Sequence, residues 1–188
     1  MTDPRLLATA AKLRDQWADP ASKYFYPVNA VDAANGLGPM LGRYPGDVYD
    51  GDADAQSGDH PWALSTANFA ELYYRLAAKI TSSRTVAADS LSATFLSQAG
   101  VTAATPPLDA AAALRSAGDA MLQAIVYHSD HFELSEQFDA VTGFEKSVAN
   151  LSWSYAAFLS AVRARTAPAG LSARLGQMSL PGWAVPIG

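Results

Sequence analysis

The 188-residue sequence reads as an all-α chain. Apolar residues recur at helical spacing in five separate stretches, proline and glycine punctuate the intervals, and no strand pattern of any length is present. The first stretch carries Leu6, Ala10, Leu13 and Trp17 on one face, and Asp3-Pro4 ahead of it fits an N-cap followed by a proline in the first turn. From Pro20 to Gly58 the spacing breaks, proline, glycine and aspartate recur, and a long loop is expected. Loops of that length in a compact domain are usually functional or disordered; the aromatic density here (Tyr24, Phe25, Tyr26, Tyr44, Tyr49) favours function.

Asp59-His60-Pro61-Trp62 opens a second helix, with Phe69, Leu72, Tyr73, Leu76 and Ile80 on one face. A shorter helix is expected from about Val86 to Gln98, stopped at Gly100. Thr105-Pro106-Pro107 starts a fourth, apolar at Leu114, Met121, Leu122, Ile125 and Val126. A non-helical stretch from about Ser129 to Lys146 leads to the fifth, whose inner face is read as Leu151, Tyr155, Phe158, Leu159 and Val162. Proline and glycine then return, so the chain divides into one helical domain over 1–165 and an irregular tail over 166–188.

Hydrophobic residues make up 49% of the chain and charged residues 16%, which is enough apolar surface for one packed core. A formal charge of −5 argues against a nucleic-acid partner held by phosphate neutralisation. The lack of cysteine excludes disulfides and thiolate metal sites. No apolar run approaches the ~20 residues of a membrane helix, so no membrane partner is expected. The opening Met1-Thr2-Asp3-Pro4-Arg5 lacks the apolar segment of a signal peptide.

Four segments in order carry a family likeness. Gly42-Arg43-Tyr44-Pro45-Gly46-Asp47-Val48-Tyr49 is similar to a GRYPEDxY loop, and Pro61-Trp62 to an NPWF segment that opens a helix. Ser135-Glu136-Gln137-Phe138-Asp139 is similar to SEQYD, and Leu151-Ser152-Trp153-Ser154-Tyr155-Ala156-Ala157 to LTWSYAALL. In this combination the chain resembles the glucoamylases, glycoside hydrolase family 15, from about Leu6 to Arg165. The resemblance implies a portion of an (α/α)6 toroid, the C-terminal part of the family's catalytic domain. It also implies an inverting exo-hydrolase that frees glucose from the non-reducing ends of α-glucans or maltooligosaccharides, and a secreted or periplasmic parent protein. The segment that holds the family's general acid would lie upstream. A glucodextranase- or trehalase-like activity, and an inactive carbohydrate-binding remnant, are the alternatives.

Inverting hydrolysis needs a protonated acid at the leaving oxygen and a carboxylate ~6.5–9.5 Å away to activate water. By its match to SEQYD, Glu136 resembles that second group, the general base. In extended backbone Phe132, Leu134, Glu136 and Phe138 share a face, which puts the carboxylate among apolar groups, where burial is costly without a purpose. Glu133 falls on the opposite face. Without these neighbours, an exposed glutamate on a polar loop is the plainer account of Glu136.

Arg43 resembles the family's substrate-binding arginine, and a salt bridge to Asp47 is compatible with that. Tyr44 and Trp62 would wall a sugar site or simply pack the loop. Gln137 would bond Glu136 or a sugar hydroxyl, or face solvent. Trp153 would support the site from behind, and Asp47 would orient Arg43. Gly46 stands where the family has glutamate, which loosens the loop. The stretch from Asp50 to Asp59 is longer than the family's, which implies a different rim. His60, His128 and His131 form no metal pair, and the run Asp50, Asp52, Asp54, Asp59 lacks the glycine and terminal glutamate of an EF-hand, so no cofactor is expected. Asn150-Leu151-Ser152 fits a glycosylation sequon by accident of position. A partial toroid leaves apolar flanks open, so the expected partner is the rest of the catalytic domain or a second copy.

Overall fold

The structure, a computed structural model, describes residues 2–51 and 59–167. Six helices and one pair of two-residue strands follow in order among them: α1 (Pro4–Ala18), α2 (Pro27–Ala34), α3 (Ala63–Ser83), α4 (Ala93–Ser97), α5 (Pro107–His128), β1 (Gln137–Phe138), β2 (Glu145–Lys146) and α6 (Ser152–Thr166). The expected boundary after residue 165 would fall in the last turn of α6, and the expected tail lies outside the described residues from 168 on.

The centre of the molecule is α3. It packs against both α5 and α6, and ten of its residues are buried, among them Phe69, Tyr73, Leu76 and Ile80. Burial on two sides needs apolar or small groups around much of the helix, and Ala67, Ala70 and Ala77 supply the small ones. The facing surface of α5 is Ala110, Leu114, Met121 and Ile125; the expected Val126 is half-exposed instead. The inner face of α6 also differs from expectation. Ser154, Ala157 and Ala161 are buried, Leu159 faces out, and Tyr155, Phe158 and Val162 lie at the margins. Close approach to α3 selects the small stripe, a choice that apolar spacing alone does not register.

At α1 the Asp3 carboxylate accepts the Arg5 amide at 2.9 Å, and Pro4 occupies the first turn as expected. The buried face is Leu7, Ala10, Ala11 and Trp17, whereas Leu6 and Leu13 are exposed. The helix lies against the short α4, and the alanines permit the approach. That α4 spans five residues, not the dozen expected, because Asp89 and Ser92 close a turn of their own. The Asp89 carboxylate accepts the amides of Leu91 (3.0 Å) and Ser92 (2.8 Å), an alternative to helical bonding.

One helix went unread in the expected loop. α2 begins with Pro27 in its first turn and ends before Gly36 at φ +75°. Its inner face is Val28, Asn29 and Asp32, and two polar residues of three hide a helical face from a hydrophobicity pattern. Among the described residues no helix is long and apolar enough to cross a membrane.

Candidate functional site

Two loop segments, 40–51 and 134–148, meet beside the N-terminus of α3. Asn29 holds the first: its side-chain nitrogen donates to the carbonyls of Trp17 (2.9 Å) and Met40 (3.0 Å), and its oxygen accepts the Met40 amide at 2.8 Å. The Leu41 amide donates to the Thr66 hydroxyl at 2.9 Å, and Leu41 accepts the Trp62 amide at 2.9 Å. A Cβ at Gly42 would fall 2.2 Å from the Tyr26 hydroxyl and 2.9 Å from the Trp17 ring, so only glycine passes there. Asp59 gathers the same elements. It accepts from the Tyr26 hydroxyl (2.6 Å), the Trp17 indole (3.3 Å) and the Gly46 amide (2.9 Å). Burial, then the bond to Asp59, pushes the Tyr26 hydroxyl well above its ordinary value. Gly46, at φ +75°, therefore does not loosen the loop; it takes a left-handed turn that presents its amide to Asp59.

Within this loop Arg43 donates to both oxygens of Asp47, from Nε at 2.7 Å and from Nη2 at 2.8 Å. Asp47 also accepts the Tyr49 amide at 3.0 Å. Burial alone would raise its carboxyl, but the bonds from Arg43, the Tyr49 amide and Tyr44 outweigh burial and hold it below its ordinary value. The hydrogen bond to Asp47 raises Arg43 in turn. The guanidinium carbon lies 4.4 Å from the Trp62 ring centre, 5.1 Å from that of Tyr49 and 5.2 Å from that of Tyr44. One charge is thus locked in orientation among three aromatic faces.

Glu136 arrives from the other segment. It is buried, at 5% exposure, and its Oε2 accepts from the Tyr49 hydroxyl at 3.0 Å and from the Ser147 hydroxyl. No described residue donates to Oε1. The alternation expected around it fails. His131 and Phe132 turn through left-handed backbone and Phe132 is exposed, while Leu134, Ser135, Glu136, Gln137 and Phe138 are all buried whatever their parity. The segment is enclosed on several sides: the Glu136 amide donates to Val148, its carbonyl accepts from Ala63, and the Ser154 hydroxyl donates to the Ser135 carbonyl. Glu133 is at the surface and accepts from Asn150 at 2.9 Å.

Gln137 neither bonds Glu136 nor faces solvent. Fully buried, it accepts the Gly51 amide and donates to the Tyr49 carbonyl, both at 3.3 Å, and so fastens one loop to the other. Trp62 is buried beneath Arg43 and Tyr49, while Tyr44 is half-exposed beside them. Trp153, at the start of α6, is also half-exposed, with its ring 6.1 Å from that of Trp62. His60 accepts the Ala140 amide at Nδ1, which leaves the Nε2 proton for Asp50 at 3.3 Å; Lys146 reaches the same Asp50 oxygen at 3.3 Å. His128 pairs with Asp32 and His131 with Asp130, so the two histidines serve different neighbours. No group of metal-ligating side chains forms among the described residues. Of the aspartates in the acidic run, Asp52 and Asp54 lie outside them.

Sequence reading missed three groups that the structure brings here. Tyr49 stood inside the quoted loop segment without a role. Ser147 lies eleven residues from Glu136 with no motif of its own, in left-handed backbone at φ 66°. Asn29 was hidden in the unread helix.

Residues 1–163 match the family described as glycosyl hydrolases family 15. The chain belongs to this family. It is 30% identical over 176 residues to Glucoamylase 1 of Rhizopus oryzae, covering 88% of this chain and 28% of that protein. It is 31% identical over 156 residues to Glucoamylase GLU1 of Saccharomycopsis fibuligera, covering 72% of this chain and 30% of that one. Among solved structures, the family 15 glucoamylase from Hypocrea jecorina aligns with a TM-score of 0.70 at 27% identity, over 87% of this chain and 27% of its own. The glucoamylase of Saccharomycopsis fibuligera aligns at 0.68 and 29%, over 85% and 35%. The chain therefore spans about three-tenths of the length of the relatives it matches. Its helices take the all-α arrangement of that portion of the (α/α)6 family fold.

Proposed function

We propose that this family 15 chain supplies the water-activating half of an inverting, exo-acting α-glucan hydrolase, with Glu136 as general base. The observation that carries this reading is the environment of one carboxylate. Glu136 is buried, two hydroxyls fix its Oε2, and no described residue donates to Oε1, which is the oxygen left to draw a proton from water. Arg43, held rigid by Asp47, offers the rest of its planar fork to paired sugar hydroxyls, and the exposed face of Tyr44 suits the apolar face of a pyranose. Trp62 backs the arginine, Trp153 backs Trp62, and Gln137 sets the spacing of the two loops. The similarity to relatives named as glucoamylases makes glucose release from α-glucan ends the activity of choice.

In this reading the general acid belongs to the portion of the family fold that these residues do not span, on the same polypeptide or on another. Val126, Tyr127 and Leu159 expose apolar surface on α5 and α6, which is where such a partner, or a second copy, gains contact. Glucose release from maltooligosaccharides is the test, measured with the chain alone and with a polypeptide that carries the upstream family segment. The pair is expected to hydrolyse and the chain alone to be close to inert, because acid and base each contribute ~10²–10⁴-fold. Glu136→Gln in the pair should lower kcat by that factor; full activity in that variant removes the assignment, and an equal loss in Glu133→Gln would undo its exclusivity. A monodisperse, stable monomer by sedimentation would count against the partner.

A further inference from the structure

The two hydroxyls on Glu136 Oε2 come from different loops, Tyr49 from 40–51 and Ser147 from 134–148. They converge on one oxygen only while those loops keep their register. Each donor has a charged neighbour in sequence, for Asp50 follows Tyr49 and Lys146 precedes Ser147. These neighbours are themselves paired, with Lys146 Nζ 3.3 Å from Asp50 Oδ2. His60 donates to the same oxygen from Nε2, also at 3.3 Å, while its Nδ1 accepts the Ala140 amide at 3.2 Å. The Asp50 side chain is 2% exposed and that of Lys146 15%.

One residue further on, the Gly51 amide donates to Gln137 at 3.3 Å. A Cβ at Gly51 would strike the Ser147 hydroxyl and stand 3.2 Å from Glu136 Oε2, so the backbone beside Asp50 rests against the base and its donor. Tyr49, Asp50 and Gly51 thus engage Glu136, Lys146 and Gln137 in turn. A buried ion pair is weak evidence of stability, because desolvation offsets much of the attraction and an apolar pair of like volume often serves as well. Its better-attested use is register. A buried carboxylate parted from its cation is strongly disfavoured, so loops joined by such a pair do not slide.

We propose that Asp50 is a positioning residue for Glu136: clamped by Lys146 and His60, it sets the register that brings the Tyr49 and Ser147 hydroxyls together on Oε2. Its effect on rate rests on the reading of Glu136 as general base; its effect on geometry does not. With Oε2 held, Oε1 keeps one direction toward water. With the clamp released the carboxylate turns, and a misplacement of about 1 Å at a reacting group costs up to ~10²-fold in rate.

Asp50→Asn keeps the shape of the side chain and removes its charge. In the chain completed with the upstream family segment it should lower kcat about 10- to 100-fold and leave KM within about twofold. The same change in a Tyr49→Phe/Ser147→Ala background should cost less than about threefold, because the hydroxyls it positions are gone. Equal losses in the two backgrounds overturn the proposal, as does an unchanged kcat in the single variant. Lys146→Met breaks the clamp from the other side and should reproduce the loss; it is read in place of Asp50→Asn if that variant does not fold. Lys146→Arg, which keeps the cation, should retain most of the rate. If Asp50→Asn and Lys146→Met both lose a cooperative melt, the pair is a stability element and the proposal falls. A crystal structure of the folded variant separates the clamp from the base assignment. Both hydroxyls still on Glu136 Oε2 there overturn the clamp whatever the rates, whereas full activity in Glu136→Gln removes the general base and leaves the clamp to be judged by the crystal.

Discussion

The seam between α3, α5 and α6 and the loop end that holds Glu136 are both buried, yet they are built from opposite materials. Along the seam nearly every buried group is apolar or small, as at Ala67, Ala70, Leu114, Ile125 and Ala161. Contacts of that kind are non-directional and roughly proportional to area, so they tolerate exchange and set stability. At the loop end the buried groups are Asn29, Asp47, Ser135, Glu136 and Gln137, and each has specified partners. Directional bonds of that kind hold atoms in place, and their loss should register in chemistry more than in overall stability.

The sharpest way to break this contrast is Ile125→Ala in the seam. Ile125 is fully buried, and the change should cost about 2–5 kcal/mol of unfolding free energy in urea. Activity per folded molecule in the reconstituted pair should be unchanged. A seam variant that lowers kcat at full folding would erase the division of labour.

Asp47→Asn tests the loop end, with an expected loss of about 1–3 kcal/mol as Arg43 loses its charged partner. Its pH dependence carries a definite sign. The folded carboxyl sits below its unfolded value, so its contribution is complete above about pH 4 and disappears as pH falls through the lower folded value. The gap in melting temperature between wild type and Asp47→Asn should therefore be widest at neutral pH and narrow below pH ~4. A gap that widens in acid contradicts the lowered carboxyl.

Tyr49→Phe is the mildest change. It removes one of two hydroxyls on Glu136 Oε2 and leaves the ring against Arg43 and Trp62. A fall in kcat of up to about tenfold, with almost no change in melting temperature, is expected from the loss of one hydrogen bond. The same fall in KM-limited rate alone would mark Tyr49 as a binding group instead.

Much of the seam was legible beforehand, because helical periodicity is a local property. α3 and α5 start where Pro61-Trp62 and Pro106-Pro107 indicate, and most of their inner faces follow from spacing, Val126 excepted. Legibility failed where the neighbour decided the face. Leu6, Leu13 and Leu159 satisfy the period as well as the residues that are buried, and only the closeness of α4 to α1 and of α6 to α3 selects alanine and serine positions instead. α2 stayed hidden because Asn29 and Asp32 occupy its inner face as bonded polar groups.

At the site, motif order by itself determined the family and the two loop segments, and it singled out Arg43, Asp47 and Glu136 as candidates. Tertiary structure alone decided that Ser147 and Tyr49 meet one oxygen of Glu136, that Gln137 is a fastener, and that Trp62 lies beneath the arginine. The physical reason is range. Propensity and periodicity act within a few residues, whereas Tyr49 and Glu136 stand 87 residues apart, and a hydrogen bond between them exists only after the helices have brought the loops together.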